Sequence, residues 1–222
     1  MGQTAAFFDL DKTVIAKPAL VAFTPALCRD GLVSRRMMAR GAIAGVRFRL
    51  QSTSPERMAQ YQTKGLELIK GWDSKRVASL VEASVPSVLP RIVFPAVVER
   101  IAEHRRFGCR TFLVSAGPEE VVGPVARYLG VDEVIASRAE VDDEACYTGR
   151  AAFWAYGAAK AVAIAEVAES DGIDLRGSSA YSDSATDLPM LEAVGNPTAV
   201  NPDRRLAKVA ADRGWPVLKV RR

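Results

Sequence analysis

The sequence is poor in the residues that build metal clusters and disulfide frameworks. Among its 222 residues it has one histidine, His104, and three cysteines, Cys28, Cys109 and Cys146. An odd number of widely spaced cysteines matches neither a zinc-binding pattern nor a set of disulfides. We therefore expect three free thiols that pack as small hydrophobic side chains, and a reducing, cytoplasmic compartment. We expect His104 to be structural.

Long hydrophobic runs and a strong charge of one sign are absent too. No apolar stretch approaches the roughly 20 residues of a membrane-spanning helix. Asp9 and Asp11 occupy the region where an export signal would have its apolar core. The formal net charge is +4, and no basic stripe is interleaved with aromatic residues, so we expect no nucleic-acid partner. The mild positive excess is more typical of a protein that meets small anionic molecules.

Hydrophobic residues make up 49% of the chain and charged residues 25%, as in soluble globular proteins. From residue 95 onwards, helix-like and strand-like segments alternate. Strands are predicted at 110–115, 133–137, 178–182, 197–200 and 217–220, a hairpin over 139–149, and helices over 95–108, 118–130, 157–169, 188–195 and from 203. Repeated β-α-β units predict an α/β fold, with a parallel sheet covered by helices on both faces.

Residues 17–90 carry no strand pattern and are predicted to be helical. Apolar residues recur there at helix-like spacing, namely Leu32, Val33, Met37, Ile43, Val46 and Leu50. Ser54-Pro55 and Asp73 are predicted helix starts. Pro86 and Pro90 are predicted to stop the helix that Asp73 begins. A block of this size without strands predicts a small helical domain.

Two carboxylates directly follow the first predicted strand, residues 4–8. Asp9 and Asp11 are one residue apart, so both leave the carboxyl end of the strand on the same side. Open α/β sheets bind their ligands at that end. Carboxylates this close repel each other unless a divalent cation or a shared proton compensates, so the pair favours a metal site, an acid/base pair, or both. The alternative is an Asx turn in which both aspartates are solvated.

Three further polar features fall at predicted strand ends or helix starts. Ser115 ends a strand in Leu-Val-Ser-Ala-Gly, Lys160 lies on an Ala-rich helix, and Asp183 and Asp187 occur in Tyr-Ser-Asp-Ser-Ala-Thr-Asp-Leu-Pro. Taken singly, Ser115 could be a helix cap, Lys160 a surface lysine, and the two aspartates a cap and a surface charge. If all of these structural explanations held, the order of the four residues along the chain would be a coincidence.

Asp-x-Asp-x-Thr after an apolar strand, followed by this Ser, Lys and Asp-x-x-x-Asp, resembles the haloacid dehalogenase superfamily. Leu-Asp-Lys-Thr and Ser-Asp-Ser-x-x-Asp-Leu-Pro resemble its phosphoserine phosphatase-like branch, subfamily IB. The resemblance implies a three-layer Rossmann-like core formed by residues 1–16 and 91–222, with a helical cap domain inserted at 17–90. It also implies a Mg²⁺-dependent phosphatase that acts on a small or amphiphilic phosphate ester.

The resemblance assigns roles to the residues of these motifs. Asp9 would attack phosphorus and form an aspartyl-phosphate, and Asp11 would protonate the leaving alcohol and then deprotonate water. Mg²⁺ prefers hard oxygen ligands, which Asp9, the backbone carbonyl of Asp11, and Asp183 would supply.

The remaining motif residues would support this chemistry. Ser115, Ala116 and Lys160 would hold the phosphoryl oxygens. Asp187, one helical turn past the metal carboxylate, would orient Lys160 or a metal-bound water. Thr13 would fix the loop through hydrogen bonds from its hydroxyl.

The sequence departs from the family pattern at several positions. Ser182 and Ser184 stand where many relatives have glycine in Gly-Asp-Gly-x-x-Asp. Pro18 stands where phosphoserine phosphatases have a glutamate that binds the substrate ammonium, which puts an amino-acid substrate in doubt.

The segment between Arg29 and Arg49 is rich in arginine, with Arg35, Arg36, Arg40 and Arg47. It is either a solvated helix face or a basic surface for an anionic substrate or a membrane. Two alternative functions stay open: a phosphotransferase with the same intermediate, and a membrane-associated regulatory protein with a vestigial phosphate site.

Overall fold

The structure, a computed structural model, describes residues 2–34, 37 and 63–222. Its centre is a seven-stranded sheet with the strand order β4-β3-β2-β1-β5-β6-β7. The strands are β1 Ala5–Asp9, β2 Arg110–Pro118, β3 Glu133–Val141, β4 Tyr147–Phe153, β5 Ser179–Ser182, β6 Asn196–Val200 and β7 Val217–Leu218. Neighbouring strands are parallel except for β3 and β4, which form an antiparallel hairpin at one edge.

Helices cover both faces of the sheet. They are α1 Ala19–Arg29, α2 Ser74–Val88, α3 Pro95–Arg106, α4 Glu119–Leu129, α5 Ala158–Asp171, α6 Leu188–Glu192 and α7 Arg204–Arg213. Residues 63–69 are also helical, and Leu89–Arg91 and Ala185–Asp187 form short 3-10 helices. None of the helices in the described part of the chain is long and apolar enough to cross a membrane.

The central strand β1 is apolar and buried along its whole length because it packs on both faces. Phe8 belongs to the hydrophobic cluster formed with α2, α3 and α4. Phe7 belongs to the opposite cluster, formed with α5, α6 and α7, and stacks on Phe112 of β2. Each fully buried phenylalanine contributes about 1.5–3 kcal/mol by burial. The predicted three-layer α/β fold is therefore confirmed.

Several predicted boundaries were wrong by a few residues. Strand β1 includes Asp9, and β2 runs past Ser115 to Pro118 through an irregularity in its pairing with β3. Strand β3 extends to Val141, so the predicted short strand and the predicted hairpin are one continuous element. The turn of that hairpin lies at Asp142, as expected.

In residues 17–90, the helix start at Asp73 is confirmed, since its carboxylate accepts hydrogen bonds from two backbone N–H groups of α2. The predicted stop at Pro86 is wrong. Helix α2 continues to Val88 because a proline in the last turn forfeits only one hydrogen bond. Leu32 and Val33 are not helical. Met37 is helical, and Ile43, Val46, Leu50 and Ser54-Pro55 lie outside the described residues.

Helices α1 and α2 contact the α/β part of the molecule closely. Phe23 of α1 and Val81 of α2 lie in the same buried cluster as Phe8. Backbone hydrogen bonds also join residues 71–74 to the start of β4 at Tyr147 and to Ala145 before it. The division into a core domain, 1–16 and 91–222, and a cap domain, 17–90, stays our proposal.

Candidate active site

The loop after β1 is a tight, hydrogen-bonded turn. The backbone carbonyl of Leu10 accepts hydrogen bonds from the N–H groups of Val14 and Ile15, both at 3.0 Å. Lys12 adopts a left-handed backbone conformation with φ of 65°, and its N–H donates to the Ile15 carbonyl at 2.6 Å. A left-handed conformation is costly for a non-glycine residue. The turn thus holds Asp9 and Asp11 at the carboxyl end of the central strand.

Lys160 is buried beside Asp9 and is not a surface lysine. Its side chain reaches from the first turn of α5 and is 2% exposed. Lys160 Nζ donates to Asp9 Oδ1 at 2.7 Å and to Asp187 Oδ2 at 2.9 Å. Burial alone would lower the pKa of Lys160, but the negative charges of Asp9 and Asp187 raise it above its ordinary value. The ammonium therefore stays charged across the physiological pH range.

Asp187 also accepts a hydrogen bond at Oδ2 from the hydroxyl of Ser182, at 2.8 Å. It ends the 3-10 helix Ala185–Asp187, whose N-terminal cap is Ser184. Asp183 precedes that cap, so the expectation that Asp183 and Asp187 share one α-helical turn was wrong. A short 3-10 turn bends the chain instead, and Asp187 still reaches Lys160.

Asp9 and Asp183 are buried carboxylates whose negative charge is only partly compensated. Burial raises the pKa of Asp9 to about 8, with Lys160 opposing the shift and Asp187 adding to it. Burial likewise raises the pKa of Asp183 to about 6, where Lys12 opposes the shift and Asp187 and Asp203 add to it. Such carboxylates are stabilised when a cation neutralises them.

The donor set fits a magnesium ion better than a softer metal. Among the residues that the structure describes, no three histidine, cysteine or acidic side chains cluster so as to hold a metal. A site made of Asp9, Asp183 and the backbone carbonyl of Asp11 needs only two side chains. Mg²⁺ commonly binds in this way, through one or two carboxylates and several waters.

Within β2, residues 115–117 interrupt the regular pairing with β3, and we call them the Ser115 loop. Ser115 is buried, and its Oγ accepts a hydrogen bond from the N–H of Gly117 at 3.0 Å, so the hydroxyl hydrogen stays available to a ligand. A Cβ on Gly117 would lie 3.3 Å from Ser115 Oγ and from Val122, so glycine allows this close approach. The shift in β2–β3 pairing after Ser115 is typical of strand irregularities beside active sites.

Sequence reasoning missed Ser137, which braces this loop. Its buried hydroxyl donates to the backbone carbonyl of Ala116 at 2.9 Å and accepts from the N–H of Ala155 at 3.1 Å. It thus ties the Ser115 loop to the segment that leads into Lys160. Tyr156 was missed too: burial raises the pKa of its phenol, with the charge of Asp187 adding to the shift. A serine in a strand and a tyrosine before a helix carry no signal for such contacts.

Asp11 is directed towards α1. Its Oδ1 accepts a hydrogen bond from the backbone N–H of Ala19 at 2.8 Å. Pro18, at the cap position of α1, offers no side-chain hydrogen bond, so the Asp11 carboxylate takes the place of a cap. Burial raises the pKa of Asp11, although the Ala19 N–H partly opposes this. A raised pKa suits a carboxyl that must donate a proton near neutral pH.

The hydroxyl of Thr13 was expected to fix the loop by hydrogen bonding. Thr13 is completely buried, but its Oγ1 has no hydrogen-bond partner among the described residues. The structure therefore does not supply the expected contact. The arginines predicted to form a basic surface, Arg35, Arg36, Arg40 and Arg47, lie outside the described residues.

Comparison with known proteins assigns the chain to a family. The sequence-family model of the haloacid dehalogenase-like hydrolases matches residues 6–192, which include every motif residue of the site. The chain belongs to this family. The predicted family and the predicted enzyme type, a phosphatase of this family, are confirmed.

This chain is similar in sequence to two proteins of Mycobacterium tuberculosis. A probable phosphatase is 44% identical over 99% of this chain and 76% of its own length. A phosphoserine phosphatase is 31% identical over 96% of this chain and 70% of its own. Among solved structures, a Bordetella pertussis protein of unknown function is 28% identical and superposes with a TM-score of 0.85, covering 98% of this chain and 99% of that one.

Proposed function

We propose that this phosphatase hydrolyses phosphate monoesters in two steps through an aspartyl-phosphate on Asp9. The observation that carries the proposal is the buried hydrogen bond of 2.7 Å between Lys160 Nζ and Asp9 Oδ1. A neighbouring cation favours the ionised form of a buried nucleophilic carboxylate and offsets the charge that a phosphate brings. Lys160 supplies that cation in contact with the proposed nucleophile.

In the first step, Asp9 Oδ2 attacks phosphorus, since Oδ1 is engaged by Lys160. The ester P–O bond breaks, and Asp11 donates its proton to the leaving alcohol. In the second step, Asp11 takes a proton from water, whose oxygen attacks phosphorus. The acyl phosphate bond then breaks, which releases inorganic phosphate and restores both aspartates.

Mg²⁺ would be held by Asp9, Asp183 and the backbone carbonyl of Asp11. When bound, it would supply charge stabilisation for the phosphoryl oxygens. The raised pKa values of Asp9 and Asp183 support this assignment, because both carboxylates lack sufficient compensating charge without a cation. Ser115 Oγ, the N–H of Ala116 and Lys160 Nζ would bind the phosphoryl oxygens and hold the phosphorus in line with the nucleophile.

The first turn of α1 supports an uncharged or amphiphilic leaving group. Ala19 contacts the acid/base carboxylate of Asp11 directly, so this turn borders the position of the leaving oxygen. The neighbouring side chains, Leu20 and Val21, are 50% and 62% exposed. Pro18 offers no carboxylate to a substrate ammonium, and an unpaired ammonium in a closed site costs desolvation free energy.

Specificity constants for phosphoserine, glycerol phosphate and lysophosphatidate test this proposal, with Mg²⁺ present throughout. We expect phosphoserine to be the poorest of the three. Pro18→Glu should improve phosphoserine selectively, and Pro18→Gln, which removes the proline without adding a charge, is its matched control. A phosphoserine constant at least about tenfold above the others, a gap of about 1.4 kcal/mol, would overturn the substrate class.

We also propose that the enzyme works in the cytoplasm without a nucleic-acid partner. All three cysteines are free thiols, which supports a reducing compartment. Contact of the basic cap segment with a membrane surface stays a prediction.

A further inference from the structure

Ser182 is the last residue of β5 and is completely buried. Its hydroxyl donates a hydrogen bond to Asp187 Oδ2 at 2.8 Å and accepts one from the backbone N–H of Ser184 at 3.2 Å. A hydroxyl can donate and accept at once because its hydrogen rotates to suit its partners. Ser182 thus joins the loop that carries Asp183 to the carboxylate that holds Lys160.

The hydroxyl of Ser182 begins a chain of three hydrogen bonds that ends on the nucleophile. The same Asp187 Oδ2 accepts from Lys160 Nζ at 2.9 Å, and Lys160 Nζ donates to Asp9 Oδ1 at 2.7 Å. All four side chains are buried. Hydrogen bonds in such a low-dielectric environment are stronger than in water and polarise one another.

We propose that Ser182 is a positioning residue for the phosphoryl-transfer reaction. The proposal rests on the proposed function above. The Ser182 hydroxyl fixes the orientation of the Asp187 carboxylate, and that carboxylate keeps the Lys160 ammonium directed at Asp9 and at the incoming phosphate. Glycine, which many relatives have at this position, cannot make this bond. In this chain, therefore, the hydroxyl supplies a restraint that glycine would leave out.

Ser178 provides a matched control next to the same strand. It lies just before β5, at the end away from Asp183, and is also buried. Its hydroxyl accepts from the N–H of Ala5 at 2.9 Å and donates to the carbonyl of Asp174 at 2.6 Å. Ser178→Ala removes the same pattern of bonds as Ser182→Ala, but at a distance from the site. Any general cost of losing a buried hydroxyl should appear in both variants.

The experiment measures kcat and KM for p-nitrophenyl phosphate with Mg²⁺, and the dissociation constant of orthovanadate by calorimetry. The proteins are the parent, Ser182→Ala, Ser178→Ala, Asp187→Ala and the double variant at 182 and 187. Ser182→Ala should lower kcat and weaken orthovanadate binding by about tenfold to a hundredfold, as loss of a ligand-orienting group does. Ser178→Ala should leave kcat and the orthovanadate dissociation constant within about twofold of the parent values. The double variant should likewise stay within about twofold of Asp187→Ala, because the carboxylate that Ser182 orients is already gone.

The proposal is overturned if Ser182→Ala leaves kcat and orthovanadate binding unchanged, or if Ser178→Ala reduces them as much as Ser182→Ala does. It is also overturned if Ser182→Ala causes the same loss in the Asp187→Ala background as in the parent. If Ser182→Ala is not recovered folded, Ser182→Gly replaces it under the same thresholds. Turnover by the parent protein is a separate check. A parent that binds orthovanadate but turns over no phosphate ester contradicts the proposed function, and the orthovanadate constants still decide the role of Ser182.

Discussion

The carboxylate of Asp11 accepts a hydrogen bond from the backbone N–H of Ala19, the first residue of helix α1, at 2.8 Å. The proposed acid/base is therefore attached to the first helix of the proposed cap. One carboxylate serves two purposes here, since it satisfies an otherwise open helix N–H and is proposed to move the proton of the reaction. Substitutions at Asp11 can separate these two contributions.

Asp11→Asn should keep the fold and lose proton transfer. The amide oxygen still accepts from the Ala19 N–H, but the side chain no longer donates a carboxyl proton. We expect kcat to fall by about 10²- to 10⁴-fold for an alkyl phosphate. In a single turnover, which reports leaving-group release before water attacks, the loss should be much smaller for p-nitrophenyl phosphate, whose leaving group needs little protonation. Equal single-turnover losses for both substrates would contradict the assignment of Asp11 as general acid.

Asp11→Ala should show the same kinetic loss together with a loss of stability. Removing the capping oxygen costs about 0.5–2 kcal/mol of folding free energy. Urea unfolding of the two Asp11 variants measures this difference directly. An alanine variant as stable as the asparagine variant would show that the contact with Ala19 contributes nothing.

Lys160→Met should destabilise the protein strongly. Asp9 and Asp187 would then lie buried without their shared cation, and breaking such a pair typically costs about 3–5 kcal/mol. The cost should shrink in acid, because the raised pKa of Asp9 favours the uncharged form of that carboxyl there. Urea unfolding at pH 5 and pH 8 measures it. Lys208→Met, at an exposed lysine, is the control and should change stability by less than about 0.5 kcal/mol. A cost equal to that of the control would contradict the buried ion pair.

Mg²⁺ should stabilise the protein more at pH 8 than at pH 5. The folded pKa values of Asp9, about 8, and of Asp183, about 6, exceed the ordinary value of 3.8. The folded state therefore binds more protons than the unfolded state, and the stability this gives at low pH is lost as pH rises through these values. A cation can replace the lost protons, whereas protons compete with it in acid.

Thermal unfolding with and without Mg²⁺ at the two pH values tests this dependence. The rise in Tm should be larger at pH 8 and should be weakened by Asp183→Asn. A rise that is the same at both pH values, or that persists in the variant, would contradict the assignment of Asp9 and Asp183 as metal ligands.

The strand ends of the site were predictable from sequence, and the side-chain contacts between them were only partly so. Asp9 and Asp11 follow an apolar strand, and parallel strands present their carboxyl ends at one edge of the sheet, so the position of this pair was predictable. The helix that carries Lys160 is also readable, but its burial depends on a contact with Asp9, 151 residues away. The hydrogen bond from Ser137 to Ala116 joins β3 to the irregular part of β2 through a single hydroxyl, and no sequence periodicity indicates it.

The errors in the predicted element boundaries have local physical causes. Strand β2 continues past Ser115 because Pro118 regains a partner on β3 after the irregularity. Helix α2 continues past Pro86 because its last turn contains few bonds to lose. The spacing of Asp183 and Asp187 suggested an α-helical turn, but the serine cap at Ser184 starts a tighter 3-10 turn. In the first and third cases, strand pairing or a cap outweighed the local propensity.

The most direct measurement of the central claim is the mass of the peptide that contains Asp9 after acid quenching. The protein is mixed with p-nitrophenyl phosphate and Mg²⁺, quenched within one turnover, digested and analysed by mass spectrometry. The account predicts that the mass of one phosphoryl group is added at Asp9, and that it is absent in Asp9→Asn, which should also lose turnover by several powers of ten, each worth about 1.4 kcal/mol. Rapid turnover without a phosphorylated Asp9, or an Asp9→Asn variant within about tenfold of the parent, would contradict it.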